Sequence, residues 1–543
     1  MHIDATQPNY DALYASFRWT IPAQFNIGVA CADEPASRTP DAPAIVDVEG
    51  AHTRVWTFSQ LARLSNQVAN ALTALDIKRG DRVAIIAGQS IETAATHLGV
   101  YKAGAVAVPM AVQFGSDAIA YRLRKSGARA MLCDAHIVPR LAAIDLTTTE
   151  LNHLIITRGA ATPLSGVMSH HFDALTAKAK DAFTPVATSK DDPAMILFTS
   201  GTTGQPKAAV HAHRVLAGHL PGIQISQAMM PKSGDRLWTP SDWAWAGGLL
   251  NALLPALYFG VPVIAARAPK FEPDWAYDLI GAQGIANLFM PATALRLMLD
   301  AQRTMPAPLR AIGSAGEALG AATLEAAKKH WNINIDEFYG QTECNTVIGS
   351  SAALGLSRPG AMGKPTPGHM VAILDEDGAP LPRGSTGQIA VAKPDPTLFL
   401  HYLDDEPASA EKFHNGWLLT GDHAYVDEDG FFHFIGRNDD IITSSGYRIG
   451  PTEIEDVLTA HAAVKMAAIV GQPDKMRTER VVAYVVLHDQ GLASDALANQ
   501  LRQHVRERLS AHQYPREVHF VETIPLTESG KIIRRHFRNL AAD

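Results

Sequence analysis

The sequence predicts an α/β protein in which a large N-terminal domain, built of layered α/β subdomains plus a β-rich subdomain, is followed by a small C-terminal α/β domain. Three observations lead to this prediction. The chain has 543 residues, which is too many for one compact core. Short apolar runs alternate with helical patterns along its first part, and short segments separated by glycine and proline follow after about residue 360.

The first part of the chain has the alternation that is typical of parallel β-sheets joined by helices. A helical pattern covers Phe58–Leu75, and apolar runs of strand length recur between further helical patterns. Because parallel strands need a long crossover, this alternation favours layered α/β subdomains with largely parallel sheets. The strand candidates are Arg82–Ala87, Ala105–Pro109, Ala130–Cys133, Leu154–Thr157, Ala194–Phe198 and Val261–Ala265.

The composition changes after about residue 360. Three short candidates, Val371–Leu374, Gly387–Val391 and Phe431–Ile435, are separated by turn residues, which predicts an antiparallel β subdomain. We place a domain boundary after Gly436, which gives an N-terminal domain of residues 1–436 and a C-terminal domain of residues 437–543. The C-terminal part carries 14 basic and 14 acidic residues, so the whole net charge of -8 belongs to the N-terminal part.

Composition limits the classes of function. The chain is 47% hydrophobic and 19% charged, as ordinary globular proteins are, and its 47 basic and 55 acidic residues form no long blocks of one sign. We therefore expect neither a nucleic-acid partner nor a membrane surface as partner, and anionic ligands need local sites. No apolar run reaches the ~18 residues that span a bilayer.

Cysteine usage and the N-terminal residues predict a cytoplasmic location. Cys31, Cys133 and Cys344 are widely spaced and form no CxxC pair, which argues against a disulfide framework and a thiolate zinc site. The N-terminus lacks a basic segment followed by an apolar one, and it lacks an Arg- and Ser-rich amphipathic leader. The sequence leaves the oligomeric state open, and a homo-oligomer is among the states that it allows.

A glycine- and hydroxyl-rich loop, Thr199–Lys207, lies directly after a strand candidate and before a helical pattern. Gly201 and Gly204 allow backbone N–H groups to approach anionic oxygens, and Lys207 adds a positive charge. The loop therefore suits a di- or triphosphate. It differs from the nucleotide P-loop, because its spacing is not G-x-x-x-x-G-K and Ala208 follows the lysine. Its hydroxyl donors are Thr199, Ser200, Thr202 and Thr203.

The segment Thr199–Lys207 resembles the [ST]SG[ST]TGxPK signature of the adenylate-forming superfamily, which contains acyl-CoA synthetases, adenylation domains and luciferases. Two further segments agree in order and spacing. Gly313–Leu319 resembles the adenine-contacting loop of the family, and Phe338–Glu343 resembles its aromatic-Gly-x-Thr-Glu signature. The resemblance implies nucleotide contacts from Gly316, Glu317, Ala318, Glu337, Phe338, Tyr339, Gly340 and Gln341.

The Thr-Glu pair of this signature carries two roles in the family. By resemblance, Thr342 contacts the adenylate phosphate and the substrate carboxylate. Glu343, together with Thr202, is expected to hold Mg²⁺ on the ATP phosphates, and such oxygen ligands suit a hard cation.

Later segments complete the family pattern. Trp417–Asp422 ends in the aspartate that accepts hydrogen bonds from ribose hydroxyls, and Arg437 matches the arginine that contacts ribose or phosphate. Asp439 falls on the hinge position, so the resemblance implies a mobile C-terminal domain. Ile524–Arg535 resembles the PxTxxGK[IV]xR motif, whose adenylation lysine is here Lys531. The residues implied as catalytic are Lys531, Thr342, Glu343 and Arg448.

The resemblance covers about Phe25 to Phe537 and implies an ATP-dependent, AMP-forming carboxylic acid:CoA ligase that uses ATP, Mg²⁺ and CoA. The acid first attacks the α-phosphate of ATP, and the CoA thiolate then attacks the acyl adenylate. Segments such as Pro240–Trp245 and Asp427–Phe432 are most similar to the medium-chain acyl-CoA synthetase and acetyl-CoA synthetase branch. CoA contacts are expected from Ser445, Gly446, Tyr447, Arg477, Tyr514 and Arg516.

The residues matched to the acyl pocket predict an acid larger than acetate. Acetate-specific relatives place a Trp directly before Gln-Thr-Glu, where this sequence has Gly340, so the pocket floor is expected to be open. Small residues also stand where acetate enzymes carry bulkier ones, at Ala246, Gly247 and Ala315. A larger acid should therefore fit unless Trp243 or Trp245 folds inward. Because each buried CH₂ contributes ~0.8 kcal/mol, we expect a medium-chain, branched or aryl acid.

Three alternatives remain open at the level of sequence. One is a ligase for a short acid, acetate or propionate. Another is a stand-alone adenylation enzyme that loads a carrier protein, which would share the adenylation motifs. The third is a catalytically silent nucleotide-binding regulator, which would be expected to lack Lys531 or the Thr342–Glu343 pair.

Overall fold

The structure, a computed structural model, describes residues 3, 9–160, 163–199, 205–267, 270–317, 319–437, 440–444, 447–474, 478–509, 514–527 and 531–540. Within these ranges it describes the side chains of all residues except Thr443, Tyr447, Arg448, Thr478 and Asn539. All further statements refer to these residues.

The strands are numbered in chain order. The first sixteen are β1 (Pro43–Glu49), β2 (His52–Thr57), β3 (Arg82–Ile86), β4 (Val106–Pro109), β5 (Ala128–Asp134), β6 (His153–Thr157), β7 (Met168–His171), β8 (Pro193–Phe198), β9 (Ala208–Ala212), β10 (Leu237–Trp238), β11 (Val263–Ala266), β12 (Asn287–Phe289), β13 (Ala311–Ser314), β14 (Ile335–Gln341), β15 (Asn345–Gly349) and β16 (Lys364–Pro365). The later strands are β17 (Val371–Leu374), β18 (Gly387–Ala392), β19 (His401–Tyr402), β20 (Phe413–His414), β21 (Trp417–Val426), β22 (Phe432–Arg437), β23 (Ile442–Ser444), β24 (Tyr447–Ile449), β25 (Val464–Asp474), β26 (Thr478–Leu487) and β27 (Glu517–Phe520).

The helices are numbered in the same way. They are α1 (Tyr10–Ser16), α2 (Glu34–Arg38), α3 (Phe58–Ala74), α4 (Ile91–Lys102), α5 (Ser116–Ser126), α6 (Val138–Ala142), α7 (Phe172–Ala177), α8 (Arg214–Ser226), α9 (Ala246–Gly248), α10 (Leu254–Phe259), α11 (Pro273–Ala282), α12 (Ala292–Asp300), α13 (Ala321–Trp331), α14 (Glu406–Glu411), α15 (Pro451–Thr459), α16 (Asp495–Arg508) and α17 (Arg534–Asn539). Single turns of π-helix occur at Val29–Asp33 and Leu249–Leu253, and 3₁₀ turns occur at Ala135–Ile137, Leu146–Thr148, Ala352–Leu354 and Gln490–Leu492.

Two large sheets form the body of the N-terminal domain. One has eight strands in the order β19-β9-β8-β4-β3-β5-β6-β7, and the other has nine in the order β16-β15-β14-β13-β12-β10-β11-β1-β2. Both are parallel in their central strands. The nine-stranded sheet is antiparallel at both edges, whereas the eight-stranded sheet is antiparallel only at the edge formed by β9 and β19. An apolar cluster joins the two sheets, and it includes Ile45 on β1, Val83 on β3 and Leu98 on α4.

The helix α3 shows how local sequence sets an element of this core. The Thr57 side chain accepts a hydrogen bond from the backbone N–H of Gln60 at 3.3 Å, and the Gln60 side chain accepts one from the N–H of Thr57 at 2.9 Å. This reciprocal capping satisfies two N–H groups at the start of the helix. Beyond the cap, α3 buries Leu61, Val68 and Leu72 on its inner face.

The helix and strands predicted for the first part of the chain are confirmed, whereas the prediction for the segment after the glycine-rich loop is wrong. The predicted helix corresponds to α3, and the six strand candidates correspond to β3, β4, β5, β6, β8 and β11. The glycine-rich loop, however, leads into the strand β9 rather than directly into a helix, which begins only at Arg214. All five residues of β9 are buried between β8 and β19, so strand pairing and burial override the helix propensity of its alanines.

The predicted antiparallel subdomain is a five-stranded sheet in which β17, β18, β21 and β20 follow one another and β22 pairs with β21. It packs as an apolar cluster that contains Ile389, Val391 and Leu418. The strand β22 ends at Arg437, and the next strand, β23, belongs to another sheet. The placement of the domain boundary after Gly436 stays a prediction.

The small C-terminal domain has its own sheet and its own apolar cores. Its strands follow the order β24-β23-β26-β25, with β27 parallel to β26, and the helices α15 and α16 pack on the same apolar cluster. Arg534 ties its last helix to its first residues, because its guanidinium lies 2.6 Å from Glu455 and 3.1 Å from Asp440. The fold class predicted from the sequence is confirmed.

Two close approaches join the small domain to the large one. A Cβ added at Gly450, just before α15, would lie 2.0 Å from the carbonyl oxygen of Ile435 on β22. A Cβ added at Gly320 would lie 2.9 Å from Oδ1 of Asp456 on α15. The helix α15 therefore lies against both β22 and the loop that precedes α13.

In the described part of the chain, no helix has the length and apolar character needed to cross a bilayer. The three cysteines are buried free thiols.

Candidate active site

The glycine-rich loop is closed at its base by hydrogen bonds between its two ends. The N–H of Thr199 donates to the carbonyl oxygen of Lys207 at 2.8 Å, and the N–H of Lys207 donates to Oγ1 of Thr199 at 3.3 Å. The hydroxyl of Tyr121 donates to the carbonyl oxygen of Pro206 at 2.9 Å. The antiparallel pair of β8 and β9 thus fixes where the loop begins and ends, and the predicted contacts Ser200, Gly201, Thr202, Thr203 and Gly204 lie outside the described residues.

Lys207 and Glu343 meet at the ring of Tyr402. The ammonium of Lys207 lies 5.0 Å from the centre of this ring, and the Tyr402 hydroxyl donates a hydrogen bond to Oε1 of Glu343. The strand β19 brings Tyr402 there, because it adds to the eight-stranded sheet beside β9. Burial raises the pKa of Tyr402, and the charge of Glu343 raises it further, so its hydroxyl stays a donor.

Thr342 and Glu343 occupy the turn between β14 and β15. The N–H of Cys344 donates to the carbonyl oxygen of Gln341 at 3.1 Å, which closes the turn, and the carbonyl oxygen of Glu343 accepts from the N–H of Phe399 at 2.9 Å. Glu343 is 8% exposed, whereas Thr342 is half-buried. The turn therefore presents the predicted pair at one edge of the nine-stranded sheet, close to the end of the glycine-rich loop.

Two carboxyl groups are held at the predicted adenine loop, each by its own hydrogen bond. Gly316 has φ +96°, a backbone conformation that favours glycine. Oε2 of Glu317 accepts from the Thr293 hydroxyl at 3.3 Å, and Oε1 of Glu337 accepts from the N–H of Leu319 at 3.0 Å. Burial raises the pKa of both groups, that of Glu337 to about 7. Ala318 lies outside the described residues.

Asp422, another predicted nucleotide contact, is held by two side-chain hydrogen bonds. It is 7% exposed, and its Oδ2 accepts from the Tyr339 hydroxyl at 2.6 Å and from Nε2 of Gln341 at 2.8 Å. In the pairing of β21 with β22, Asp422 stands opposite Arg437. Burial raises the pKa of Asp422, while the Tyr339 hydroxyl and the charges of Arg437 and Lys531 act in the opposite direction.

The charge of Lys531, in the small domain, acts on this site. Its side chain is exposed, and its charge lowers the pKa of both Asp422 and Glu317 against the larger raising effect of burial. Its backbone is held locally, because its N–H donates to Oγ1 of Thr527 at 3.0 Å and its carbonyl accepts from the N–H of Thr527 at 2.7 Å. The site therefore combines hydrogen-bond acceptors suited to a ribose with a cation that comes from a second domain.

Gly340 has a reason to be glycine that the sequence did not indicate. A Cβ at this position would lie 1.5 Å from the carbonyl oxygen of Asn345, on the partner strand of the hairpin. Backbone fills the direction in which a side chain would point, so the hairpin itself requires glycine here, and the open pocket floor stays a prediction. Gly247 is similar, since its Cβ would lie 2.8 Å from Cε1 of Phe289.

The other predicted acyl-pocket residues pack into two different apolar clusters. Ala246 and Ala315 lie against the cluster that joins the two large sheets, whereas Trp245 lies against the cluster on the other side of the eight-stranded sheet. The Trp245 ring meets the ring of Phe114 edge to face at 5.8 Å. All three pocket residues are half-buried.

The predicted CoA contacts are described only in part. Arg516 stacks on Tyr514 with 4.0 Å between its guanidinium carbon and the ring centre, and it also hydrogen-bonds the Tyr514 hydroxyl. Arg506 lies 5.6 Å and Arg502 6.0 Å from the same ring. Ser445, Gly446, Arg477 and the hinge residue Asp439 lie outside the described residues, as do the side chains of Tyr447 and Arg448.

Sequence reasoning missed three residues that contact the predicted site. Tyr402 holds Glu343, Arg296 lies 3.9 Å from Glu317, and the ammonium of Lys412 donates to Oε1 of Gln341 at 3.4 Å. Each contact joins positions that are far apart in the chain, and none lies in a motif with a local spacing. An alignment that showed paired changes at such positions would be the signal needed to find them.

Comparison with known families and proteins places the chain among AMP-binding enzymes. The family model described as AMP-binding enzyme matches residues 32–403, and the AMP-binding enzyme C-terminal domain matches residues 453–531. The mitochondrial acyl-coenzyme A synthetase ACSM3 of Mus musculus is 33% identical over 98% of this chain and 93% of its own length. The uncharacterized acyl-CoA ligase YtcI of Bacillus subtilis is 33% identical over 89% of this chain and 90% of its own length.

Solved structures of CoA ligases have the same fold. The anthranilate CoA ligase AuaEII, in complex with anthranoyl-AMP, matches 96% of this chain and 98% of its own with a TM-score of 0.88 at 27% identity. A benzoate CoA ligase from Burkholderia xenovorans LB400 matches 95% of this chain and 100% of its own with a TM-score of 0.82 at 26% identity. The chain therefore belongs to the family of AMP-binding enzymes, in which its relatives of similar length are named acyl-CoA synthetases and CoA ligases.

Proposed function

We propose that the protein is an ATP-dependent, AMP-forming ligase that joins an organic acid to CoA. The observation that carries this proposal is that the charge of Lys531, in the small domain, acts on the carboxyl groups of Asp422 and Glu317 in the large domain. A cation at this place is positioned to stabilise the charge that develops when a carboxylate attacks the α-phosphate of ATP. Family membership supports the same activity, because the relatives of similar length are CoA ligases.

The reaction has two halves. A carboxylate oxygen of the acid attacks the α-phosphorus, the bond to the β-phosphate oxygen breaks, and pyrophosphate leaves. The CoA thiolate then attacks the acyl carbon, and AMP leaves with the electrons of the broken C–O bond. Neither half needs a covalent bond to the protein, so positioning and electrostatics supply the catalysis. We propose Thr342 for the adenylate phosphate and Asp422 for the ribose.

A Mg²⁺ ion fits the donors at Glu343. In the residues that the structure describes, no cluster of three or more His, Cys, Asp or Glu side chains could hold a metal by itself. A single carboxylate still suits Mg²⁺, because this ion keeps several waters and is commonly bound by one or two carboxylates together with substrate phosphates. When bound, Mg²⁺ neutralises charge on the phosphates. Glu343, fixed by the Tyr402 hydroxyl, would hold it, together with Thr202.

The second half-reaction requires a different arrangement of the small domain. In the present arrangement the charge of Lys531 acts on Asp422 and Glu317, and we propose that rotation near Asp439 replaces Lys531 with the segment around Gly446. The ring of Tyr514 with Arg502, Arg506 and Arg516 offers positive charge for the phosphates of CoA.

We propose a medium-chain, branched or aryl acid as the substrate. Support comes from half-buried Ala246 and Ala315 and from the aryl acids named for two structural relatives, whereas Gly340 and Gly247 add no support. A short acid remains the second candidate, because Phe289 fills the space beside Gly247. A cytoplasmic location stays part of the proposal, supported by three free thiols.

A pyrophosphate-release screen tests the proposal. The full-length protein is incubated with MgATP, CoA and one acid at a time, covering linear acids from acetate to dodecanoate, isobutyrate, benzoate and anthranilate. We expect release that depends on the acid, with AMP as the nucleotide product. ADP as the product would overturn the assignment. Repeating the assay with a pantetheinyl carrier protein in place of CoA distinguishes a CoA ligase from an enzyme that loads a carrier protein. We expect the carrier protein to be a poor acceptor.

A further inference from the structure

The carboxylate of Asp422 uses one of its two oxygens for the protein. Oδ2 accepts both the Tyr339 hydroxyl and the amide of Gln341, and a carboxylate oxygen has two lone pairs for such bonds. The acceptor sites left for a ribose therefore belong chiefly to Oδ1. Which way Oδ1 points is decided by the two donors that hold Oδ2.

The amide of Gln341 can hold Asp422 in only one of its two orientations. A flipped amide would place its oxygen against Oδ2, so that two acceptors faced each other. Lys412 opposes the same flip from the other side, because its ammonium has three donors and no acceptor and lies 3.4 Å from Oε1 of Gln341. Two hydrogen bonds in series therefore connect Lys412 to Gln341 and Gln341 to Asp422.

Lys412 is itself anchored to the strand that carries Asp422. Its ammonium donates to the carbonyl oxygens of Leu419 at 3.4 Å and Thr420 at 3.3 Å, and its own carbonyl oxygen accepts from the N–H of Leu419 at 2.8 Å. One side chain thus links the strand β21 to the hairpin that bears Thr342 and Glu343. Lys412 also lines a cavity of about 210 Å³ together with Lys207 and Gly421, so it lies beside the nucleotide site.

We propose that Lys412 is a positioning residue for ribose recognition. It holds the Gln341 amide so that this amide and Tyr339 fix Oδ2 of Asp422, which leaves Oδ1 directed at the ribose hydroxyls. The inference rests on the proposed ribose role of Asp422 and assigns a specificity role to a lysine outside the nucleotide motifs. A lysine that only stabilised the fold would affect all nucleotides alike.

Nucleotide titrations of the full-length protein test this role without the acid being known. Calorimetry gives the Kd of MgATP and of its 2′-deoxy and 3′-deoxy analogues for the wild type and for Lys412→Met. We expect the preference of the wild type for ATP over each analogue to fall by about tenfold in Lys412→Met, because the carboxylate loses its fixed orientation. Lys412→Arg, which keeps a cationic donor, should restore most of the preference.

Two further variants make the test specific. Lys393→Met is the matched control, since Lys393 stacks on Phe413 nearby and should leave the preference unchanged. Gln341→Leu breaks the same series of contacts at the glutamine and should lower the preference for ATP similarly. It keeps the inference testable if Lys412→Met does not fold. In the double variant, the preference for ATP should be little lower than in Gln341→Leu alone, because both substitutions break the same series of contacts.

The outcomes separate the inference from the proposed function. A Lys412→Met variant that is folded and keeps the wild-type preference overturns the inference, and so does an equal loss of affinity for all three nucleotides. A wild-type protein that binds no ATP overturns the proposed function, and the inference with it. Wild-type preference for ATP that is lost in Lys412→Met and restored in Lys412→Arg supports both.

Discussion

The ribose end of the site and the lysine that approaches it are built in opposite ways. Asp422 is 7% exposed and receives two side-chain hydrogen bonds, one of them from an amide that Lys412 holds. Lys531 has an exposed side chain, and its segment is held by backbone contacts to Thr527. The difference teaches that the contacts proposed for the ribose lie within the large domain, so the proposed withdrawal of Lys531 would leave them in place.

The largest expected effect belongs to Lys531. Lys531→Ala should slow adenylate formation about a thousandfold, which corresponds to about 4 kcal/mol, because the charge at the α-phosphate is lost. The thioester step from supplied acyl adenylate should stay near the wild-type rate. Pyrophosphate release and CoA consumption measure the two halves separately.

Lys465→Ala serves as the control for this variant, because Lys465 is an exposed lysine on β25 of the same domain. It should leave both halves unchanged. If Lys531→Ala slowed adenylate formation and the thioester step equally, the proposed contrast between a fixed ribose site and a withdrawing lysine would be contradicted.

The next effect tests the rigidity of the Thr342–Glu343 hairpin. Gly340→Ala would place its Cβ 1.5 Å from the carbonyl oxygen of Asn345, so the hairpin must move, and we expect a loss of about 3 kcal/mol in the free energy of unfolding. Urea titration followed by tryptophan fluorescence measures it. Gly115→Ala is the matched control, since an added Cβ there meets nothing within 4 Å. Unchanged stability of Gly340→Ala would show that the hairpin can adapt.

A smaller effect is expected for Asp422→Asn. Replacing the carboxylate weakens the acceptors for the ribose and should raise the KM for ATP roughly thirtyfold, about 2 kcal/mol. Unlike Lys531→Ala, this variant should also weaken binding of the adenylate in the thioester half. Asp429→Asn, in the exposed turn after β21, is the control. A defect confined to one half would break the proposed division of roles.

The smallest effect concerns Tyr402. Tyr402→Phe removes the hydroxyl that donates to Glu343, and we expect a five- to tenfold lower kcat and a higher Mg²⁺ requirement, about 1 kcal/mol. A Mg²⁺ titration of pyrophosphate release measures both. Tyr425→Phe, which alters a ring stacked on His433 in the five-stranded sheet, should match the wild type. If Tyr402→Phe left the Mg²⁺ requirement unchanged, Tyr402 would have no role in holding Glu343 for Mg²⁺.

Local pattern was enough for most of the fold and for the order of the motifs. The strand β8, the helix α3 and the segment that ends at Asp422 were predictable because their signals lie within a few residues. The strand β9 was not, because its neighbours β8 and β19 determine its conformation. The requirement for glycine at position 340 was unpredictable for a related reason, since the atom that excludes a side chain belongs to the next strand.

The supporting contacts of the site could not be predicted from the sequence. Tyr402 lies 59 residues from Glu343, and Lys412 lies 71 residues from Gln341, so no spacing rule connects them. The motifs name the residues that we propose to touch substrate, whereas the fold decides which side chains hold those residues in place. The predicted roles of residues outside the described ranges, Thr202 and Gly446 among them, stay predictions.

The central claim is that the acid attacks the α-phosphate of ATP at the site of Asp422, where the charge of Lys531 acts. An oxygen-label transfer tests it most directly. The acid that gives the highest rate in the screen is labelled with ¹⁸O at both carboxylate oxygens. After turnover with MgATP and CoA, mass spectrometry should find one ¹⁸O atom in AMP and none in pyrophosphate. AMP without the label, or label in inorganic phosphate accompanied by ADP, would contradict the account.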